Sequence, residues 1–184
     1  KLFSIYLTNS MPPTIFTRSI DEIKSFYFKY RQIVIKPING YGGNNILYIK
    51  RFNKMLIQNY LNKSEHVMVQ KFLPSIKDGD KRVFIINGKV KGAIRRVPKK
   101  NSILSNIGQG GTAFKTKLNN KEKKISNVVA RKLKKANIYF AGIDLISSKL
   151  IGDINVTSPT GLKQYETLNG INLAEDFWDG LGLK

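Results

Sequence analysis

Three oxygen-bearing side chains in the last third of the sequence have a spacing that could do chemistry. Asp144 closes the apolar run FAGIDLI, and Asp153 and Asn155 lie two positions apart in IGDINVTSPTG. If the intervening SSK turns at Ser148 and Lys149, Asp144 falls opposite Asp153, and the period of two puts Asn155 on the same face as Asp153. Two close carboxylates repel, and burial makes ionising them costlier still, unless a cation lies between them. Mg2+ meets that need, because it takes oxygen ligands, keeps some waters and shares its remaining positions with substrate phosphates. The same residues also suit a turn flanked by solvated polar side chains, and Asp-x-Asn is a weak signal by itself.

A second constellation is IVIKPINGYGGNNI, in which an apolar strand delivers Lys36 and a loop follows with Gly40, Gly42 and Gly43. Glycines let a backbone approach an anion and offer N–H groups to phosphate oxygens, and a lysine beside them adds a point charge. No Gly-Lys-Ser/Thr follows, and a strand instead of a helix comes next, so neither common phosphate-loop fingerprint applies. An ordinary glycine-rich hairpin loop is the plain alternative. The third constellation is VQKFLPSIKDGDKRV. Gln70, Lys71, Phe72 and Leu73 form an apolar strand end suited to an adenine ring, and Asp80 and Arg82 open the next strand. Read singly, Asp78-Gly79-Asp80 is also a turn and Arg82 a surface ion pair.

Composition narrows the chemistry. With no cysteine and one histidine, His66, a thiolate or histidine metal site is excluded and any metal must be bound through oxygen. The net charge is +20, yet 25 of the 32 basic residues are lysine and they scatter from Lys1 to Lys184. The abundance of Lys, Ile and Asn suits a compositional drift, so no nucleic-acid partner is expected. The run KTKLNNKEKK at 115–124 reads as a solvated loop and helix start. No apolar stretch approaches the roughly 18 residues of a membrane span, and no secretory leader is visible, so no membrane partner and a cytoplasmic protein are expected. A start at Lys1 instead of methionine suggests a piece of a longer chain.

These residues need elements to position them. Alternation marks strands at 33–38, 45–50, 67–73, 82–88 and 89–97, the last two meeting at a hairpin turn in NGK. Helical periodicity covers 19–30, with Ser19 as cap and Glu22 at the capping-box position; a short helix falls near 53–62. Another spans about 120–136, with Ile125, Val128, Val129 and Leu133 on one stripe, and a last one covers 172–181. The pattern is an α+β layered domain. Residues 98–114, rich in Gly, Ser and Asn, form a loop long enough to act as a lid.

Together and in this order, IVIKPINGYGGNNI, FLPSIKDGDKRV and DINVTSPTGL resemble the ATP-grasp domain of prokaryotic glutathione synthetases, along essentially the whole chain. The resemblance implies an ATP-grasp fold of two α+β lobes with the nucleotide held between them. The smaller lobe would span about 12–73, and the catalytic lobe 74–184. It implies an ATP-dependent ligase that phosphorylates the C-terminal carboxylate of γ-glutamylcysteine, after which glycine attacks the acyl phosphate to give glutathione, ADP and phosphate. Lys1 and Lys36 then match lysines on ATP phosphates, Gly40, Gly42 and Gly43 the flap above them, Gln70, Lys71, Phe72 and Leu73 the adenine site, and Asp80 the ribose side. Arg82 and Arg96 match residues that hold the peptide substrate and the acyl phosphate, with Asn106, Gly110 and Gly111 in the lid. Asp144, Asp153 and Asn155 match Mg2+ ligands, and Ser158 and Thr160 the substrate end.

The sequence departs from the family pattern at three places: Asp153 stands for a glutamate, Leu104 for a lid arginine and Gln164 for a glutamate. The resemblance also implies an N-terminal domain that these residues do not include, and a homo-oligomer when full length. The departures keep open a ligase for another peptide and amino acid, and a nucleotide-binding module without catalysis. An RNA-binding module would need clustered arginines interleaved with exposed aromatics, which the sequence lacks.

Overall fold

In the computed structural model the described residues are 2–40, 42–64 and 66–182. They divide after Pro74 into two compact units, each built on its own antiparallel sheet.

The first unit contains β1 (Thr14–Thr17), α1 (Ile20–Tyr30), β2 (Ile33–Pro37), β3 (Leu47–Ile49), α2 (Lys54–Asn62) and β4 (Val67–Lys71), with sheet order β1-β4-β2-β3. A 3-10 segment, Leu2–Ser10, precedes them. Alternation decides what each face does. Ile33, Ile35, Ile49, Val67 and Val69 pack against Ile23, Phe26 and Tyr27 of α1 and Ile57 and Leu61 of α2. The intervening residues, among them Val34, Lys36, Tyr48, Met68 and Gln70, therefore lie on the opposite face. Ser19 caps α1 by accepting from the Glu22 N–H at 3.3 Å. The expected reciprocal bond from Glu22 does not form; its carboxylate accepts from the Thr17 hydroxyl instead, tying α1 to β1.

The second unit contains β5 (Asp80–Ile86), β6 (Lys89–Val97), β7 (Thr112–Lys115), α3 (Asn120–Lys135), β8 (Phe140–Ile146), β9 (Lys149–Asn155), α4 (Leu162–Asn169) and α5 (Leu173–Asp179), with sheet order β7-β6-β5-β8-β9. α3 lies against β6, β8 and β9 through a buried stripe of Ile125, Val129, Ala130 and Leu133, whereas Val128 is only half-buried. A full capping box starts it: Asn119 accepts from the Glu122 N–H and Glu122 accepts from the Asn119 N–H, both at 2.9 Å. Glu122 also pairs with Lys81 at 2.7 Å. α4 and α5 build a second core in which Phe84, Ile86 and Ile94 meet Tyr165 and Leu173.

The strands expected from alternation are present: β2, β3 and β4 are trimmed, β5 is shifted to Asp80–Ile86, β6 has the expected bounds, and the hairpin at Asn87 and Gly88 forms. Elements not expected are the 3-10 segments Leu2–Ser10, Pro74–Asp78 and Ile107–Gln109, the four-residue strands β1 and β7, and α4, which precedes the shorter terminal helix α5. The β8–β9 turn also differs. Ile146 pairs with Lys149, so Ser147 and Ser148 make the turn, with φ of 47° and 56°, instead of Ser148 and Lys149. Positive φ at both central positions matches the twist of the flanking strands.

Gly92 faces Tyr165, and a Cβ there would sit 2.4 Å from the ring. Gly92→Ala should therefore displace Tyr165 and α4 and cost about 1–3 kcal/mol. A urea midpoint shift measures it, and an unchanged midpoint would contradict this packing.

Candidate active site

The second unit buries four charged side chains in one connected group on a single face of its sheet. Cross-strand register sets it up, because Asp80 lies opposite Arg96 and Arg82 opposite Asp144. Arg96 grips Asp80 from two nitrogens, Nε to Oδ1 at 2.8 Å and Nη2 to Oδ2 at 2.5 Å. The same Nη2 lies 2.9 Å from Asp144 Oδ2. Arg82 grips Asp144 in turn, Nε to Oδ1 at 2.5 Å and Nη2 to Oδ2 at 3.0 Å, and its Nη1 donates to the Thr160 carbonyl at 3.2 Å. All four side chains are at least 94% buried.

Electrostatics divides the two carboxyls. Burial opposes the charge of Asp144, but Arg82 and then Arg96 outweigh it and hold its pKa at about 2. Burial, reinforced by the Asp144 charge, pushes Asp80 upward against Arg96 and Ser105. Burial alone would pull Arg96 down, and the two aspartates more than reverse that.

Asp153 and Asn155 stand on β9, next to this group. Leu145 pairs with Leu150 and Ile143 with Ile154, so Asp144 faces a bulge formed by Ile151, Gly152 and Asp153. Gly152, with φ of 79°, absorbs the bulge. Asp153 thus reaches the Asp144 level by a bulge and not by the expected turn. The Asn155 Oδ1 accepts from the N–H groups of Thr157 and Ser158 at 3.2 and 3.0 Å, and its Nδ2 donates to the Ser158 carbonyl at 3.0 Å. The loop carrying Ser158 and Thr160 is therefore fixed through its backbone, at one end by Asn155 and at the other by Arg82. Gly142 leaves room for Arg82, since a Cβ there would lie 2.9 Å from its Cδ and 3.1 Å from Pro159 Cβ.

Of the residues between β6 and β7, Ser105 reaches the buried group: its Oγ donates to Asp80 Oδ2 at 2.7 Å. Nothing in the sequence singled it out. Asn106 folds the next stretch on itself, its carbonyl accepting from Gln109 and Gly111 at 2.9 and 3.1 Å. A Cβ on Gly111 would lie 2.1 Å from the Ser105 carbonyl oxygen, and Gly110 has φ of 86°. Leu104 and Gln164 are half-buried.

The first unit gathers a separate set on the sheet face away from its helices. Lys36 Nζ lies 3.4 Å from Gln70 Oε1, and Gln70 Nε2 donates to Thr14 Oγ1 at 2.9 Å. Phe72 stacks on Tyr48 with ring centroids 4.3 Å apart, and the Tyr48 hydroxyl donates to Gln32 at 2.6 Å. Thr14 and Tyr48 belong to this set although the motifs did not point to them; strand alternation in NILYIK could have placed Tyr48. Lys71 takes the opposite face, exposed, with its Nζ 5.8 Å from the Tyr30 ring centroid. Leu73 is half-buried beyond the strand end. The loop after Lys36 turns at Gly42 and Gly43, with φ of 65° and 82°, and a Cβ at Gly40 would sit 2.5 Å from Pro37 Cγ. Tyr60 anchors that loop from α2 through the Asn45 carbonyl at 2.5 Å, and burial raises its hydroxyl to about 12. Lys1 lies outside the described residues.

The family described as prokaryotic glutathione synthetase, ATP-grasp domain, matches residues 1–170. The chain belongs to that family. The glutathione synthetase of Bradyrhizobium diazoefficiens is 36% identical over 188 residues, covering 100% of this chain and 60% of the relative. The chain therefore spans about three-fifths of the length of such relatives. Among solved structures, the ATP-grasp ligase PsnB complexed with precursor peptide PsnA2 and AMPPNP has a TM-score of 0.71 at 16% identity, covering 98% of this chain and 57% of that one. The D-alanine–D-alanine ligase of Bacillus anthracis has a TM-score of 0.64 at 13% identity, covering 98% and 60%. The α+β fold with two sheets is thus the ATP-grasp fold.

The two carboxyls should separate on titration. Because the folded value of Asp144 lies below the ordinary 3.8, its pairing contributes stability that is fully present above about pH 4 and lost as pH falls toward 2, about 2 kcal/mol in all. Asp80 has the opposite sign: its raised value makes ionisation costly as pH climbs past the unfolded value. Carboxyl carbon NMR should show Asp80 titrating above the ordinary range and Asp144 near pH 2; the reverse order would contradict the assignment. Gly142→Ala should shift Arg82 and destabilise by about 1–3 kcal/mol, read from denaturant unfolding.

Proposed function

We propose that this chain is the nucleotide-binding and catalytic part of an ATP-dependent carboxylate–amine ligase, a glutathione synthase acting on γ-glutamylcysteine and glycine. The observation that carries the reading is the pair of buried arginines, Arg82 and Arg96, held on one sheet face beside Asp144 in a chain of this family. Preorganised guanidinium groups in a dry site suit a reaction whose charge develops on a transferring phosphoryl group.

In this reading Lys36 and the loop of Gly40, Gly42 and Gly43 receive the ATP phosphates, with Lys1 as a second phosphate lysine. Gln70, Phe72 and Leu73 hold the adenine together with the backbone of Lys71, whose side chain lies on the opposite face, and Asp80 serves the ribose side while it also fixes Arg96. Arg82 and Arg96 orient the dipeptide carboxylate, with Ser158 and Thr160 at the substrate end and the segment of Asn106, Gly110 and Gly111 covering it. The carboxylate oxygen attacks the γ-phosphorus and the bond to ADP breaks. The glycine nitrogen then attacks the acyl carbon, phosphate leaves with the C–O electrons, and the amine loses a proton.

The donor set of Asp144, Asp153 and Asn155 fits Mg2+, being all oxygen with Asp144 kept ionised. Mg2+ keeps several waters and shares substrate phosphates, so two carboxylates and one carboxamide are enough protein donors. When bound, the ion would neutralise charge on the phosphates. No helix among the described residues is long and apolar enough to cross a membrane, and we place the reaction in the cytoplasm, in a homo-oligomer when full length. Leu104 at the lid position where an arginine is expected favours, as a second reading, a ligase for another acidic peptide.

Phosphate release by the full-length protein with Mg2+-ATP should require both γ-glutamylcysteine and glycine, and Asp153→Ala should reduce it at least about a hundredfold. Release that needs a different peptide would favour the second reading, and ATP binding without release under any acceptor would refute both.

A further inference from the structure

The donors expected to hold a cation are already satisfied by the protein. Asp144 receives three bonds from two guanidinium groups, all at 3.0 Å or less, and Asn155 Oδ1 receives backbone N–H groups. Two full positive charges on one carboxylate oppose a divalent cation at the same carboxylate, in surroundings where water screens little. We propose that Arg82 and Arg96 are internal counter-cations of this site. They neutralise Asp144 while no cation is present and are released when a divalent cation takes it. Resting on the ligase reading, this couples cation loading to capture of an anionic substrate.

The geometry makes Arg82 the main competitor. It supplies two of the three bonds to Asp144, and its remaining anchor is one carbonyl, that of Thr160 at 3.2 Å. Arg96 has a second carboxylate, Asp80, to which it holds two bonds whether or not Asp144 leaves. Cation binding therefore frees Arg82 first, beside the loop that carries Ser158 and Thr160. Linkage makes the effect reciprocal: an anionic group that draws Arg82 away leaves Asp144 more negative toward the cation. The site is a poor cation trap alone and a better one once an acidic ligand has arrived.

The test reads Mn2+ binding to the full-length protein, by calorimetry or electron paramagnetic resonance, without nucleotide. Arg82→Gln should bind Mn2+ about tenfold more tightly than the wild type, and Arg82→Lys, which keeps the charge but loses the two-point grip, should fall between them. Equal or weaker binding by folded Arg82→Gln, or no binding by either protein, overturns the proposal. Nitrogen-15 NMR of the wild type guards against misfolding of the variants: the Arg82 Nε–H signal should shift as Mg2+ saturates, and an unmoved signal overturns the proposal. Adding γ-glutamylcysteine should tighten Mn2+ binding to the wild type and not to Arg82→Gln. If the variant and NMR effects hold and only the dipeptide effect is missing, the substrate assignment fails and the competition stands.

Discussion

Arg96 shares one nitrogen between two buried carboxylates, and much of the second unit is arranged around that fact. Asp80 and Asp144 repel, and each would be costly to ionise in the interior without a cation between them. The guanidinium supplies that cation without a metal, and Arg82 completes the neutralisation from the other side. Burying four charges yields little net stability, because desolvation offsets most of the attraction. What the arrangement does is fix orientation. Ser105 and the Thr160 carbonyl are attached to the same group, so two loops far apart in the sequence take their places from one set of ion pairs.

The sheet makes this possible by giving its faces different work. On β5, Asp80, Arg82 and Phe84 share a face, the charges toward one end and the aromatic packing of Phe84 against Tyr165 beyond them. The alternate face lies under α3. A slip of one residue in the β5–β8 register would carry Arg82 and Asp144 to opposite sides of the sheet. Glycine provides the clearance: Gly142 admits the Arg82 side chain, and Gly92 admits the Tyr165 ring. The first unit follows the same rule, with an apolar face under its helices and Lys36, Gln70 and Tyr48 opposite.

How far the fold was legible depended on element length. The seven- and nine-residue strands β5 and β6 and the 16-residue α3 offered enough periodicity to be read. The strands β1 and β7, four residues each, did not, whereas the three-residue β3 was legible because it lies inside the longer alternation of NILYIK. α4 was hidden for another reason: it begins after Gly161 with no side-chain cap, so no start signal marks it. At the β8–β9 hairpin the turn position was missed because a Gly152 bulge restores, two residues later, the register that a different turn would have set.

The sequence by itself determined the donor types, the order of the strands and helices that carry them, and the family, because these depend on local periodicity and on motifs read in line. It also fixed that any metal ligation must use oxygen, since there is no cysteine and one histidine. Tertiary structure decided which charge meets which. Arg96 and Asp80 are 16 positions apart and Arg82 and Asp144 are 62 apart, and only cross-strand register brings such residues within hydrogen-bond distance. The role of Ser105 was equally invisible, because a hydroxyl in a loop acquires a partner only when the loop is laid over a buried carboxylate. Pairing depends on burial and register, and neither is a property of any stretch of sequence alone.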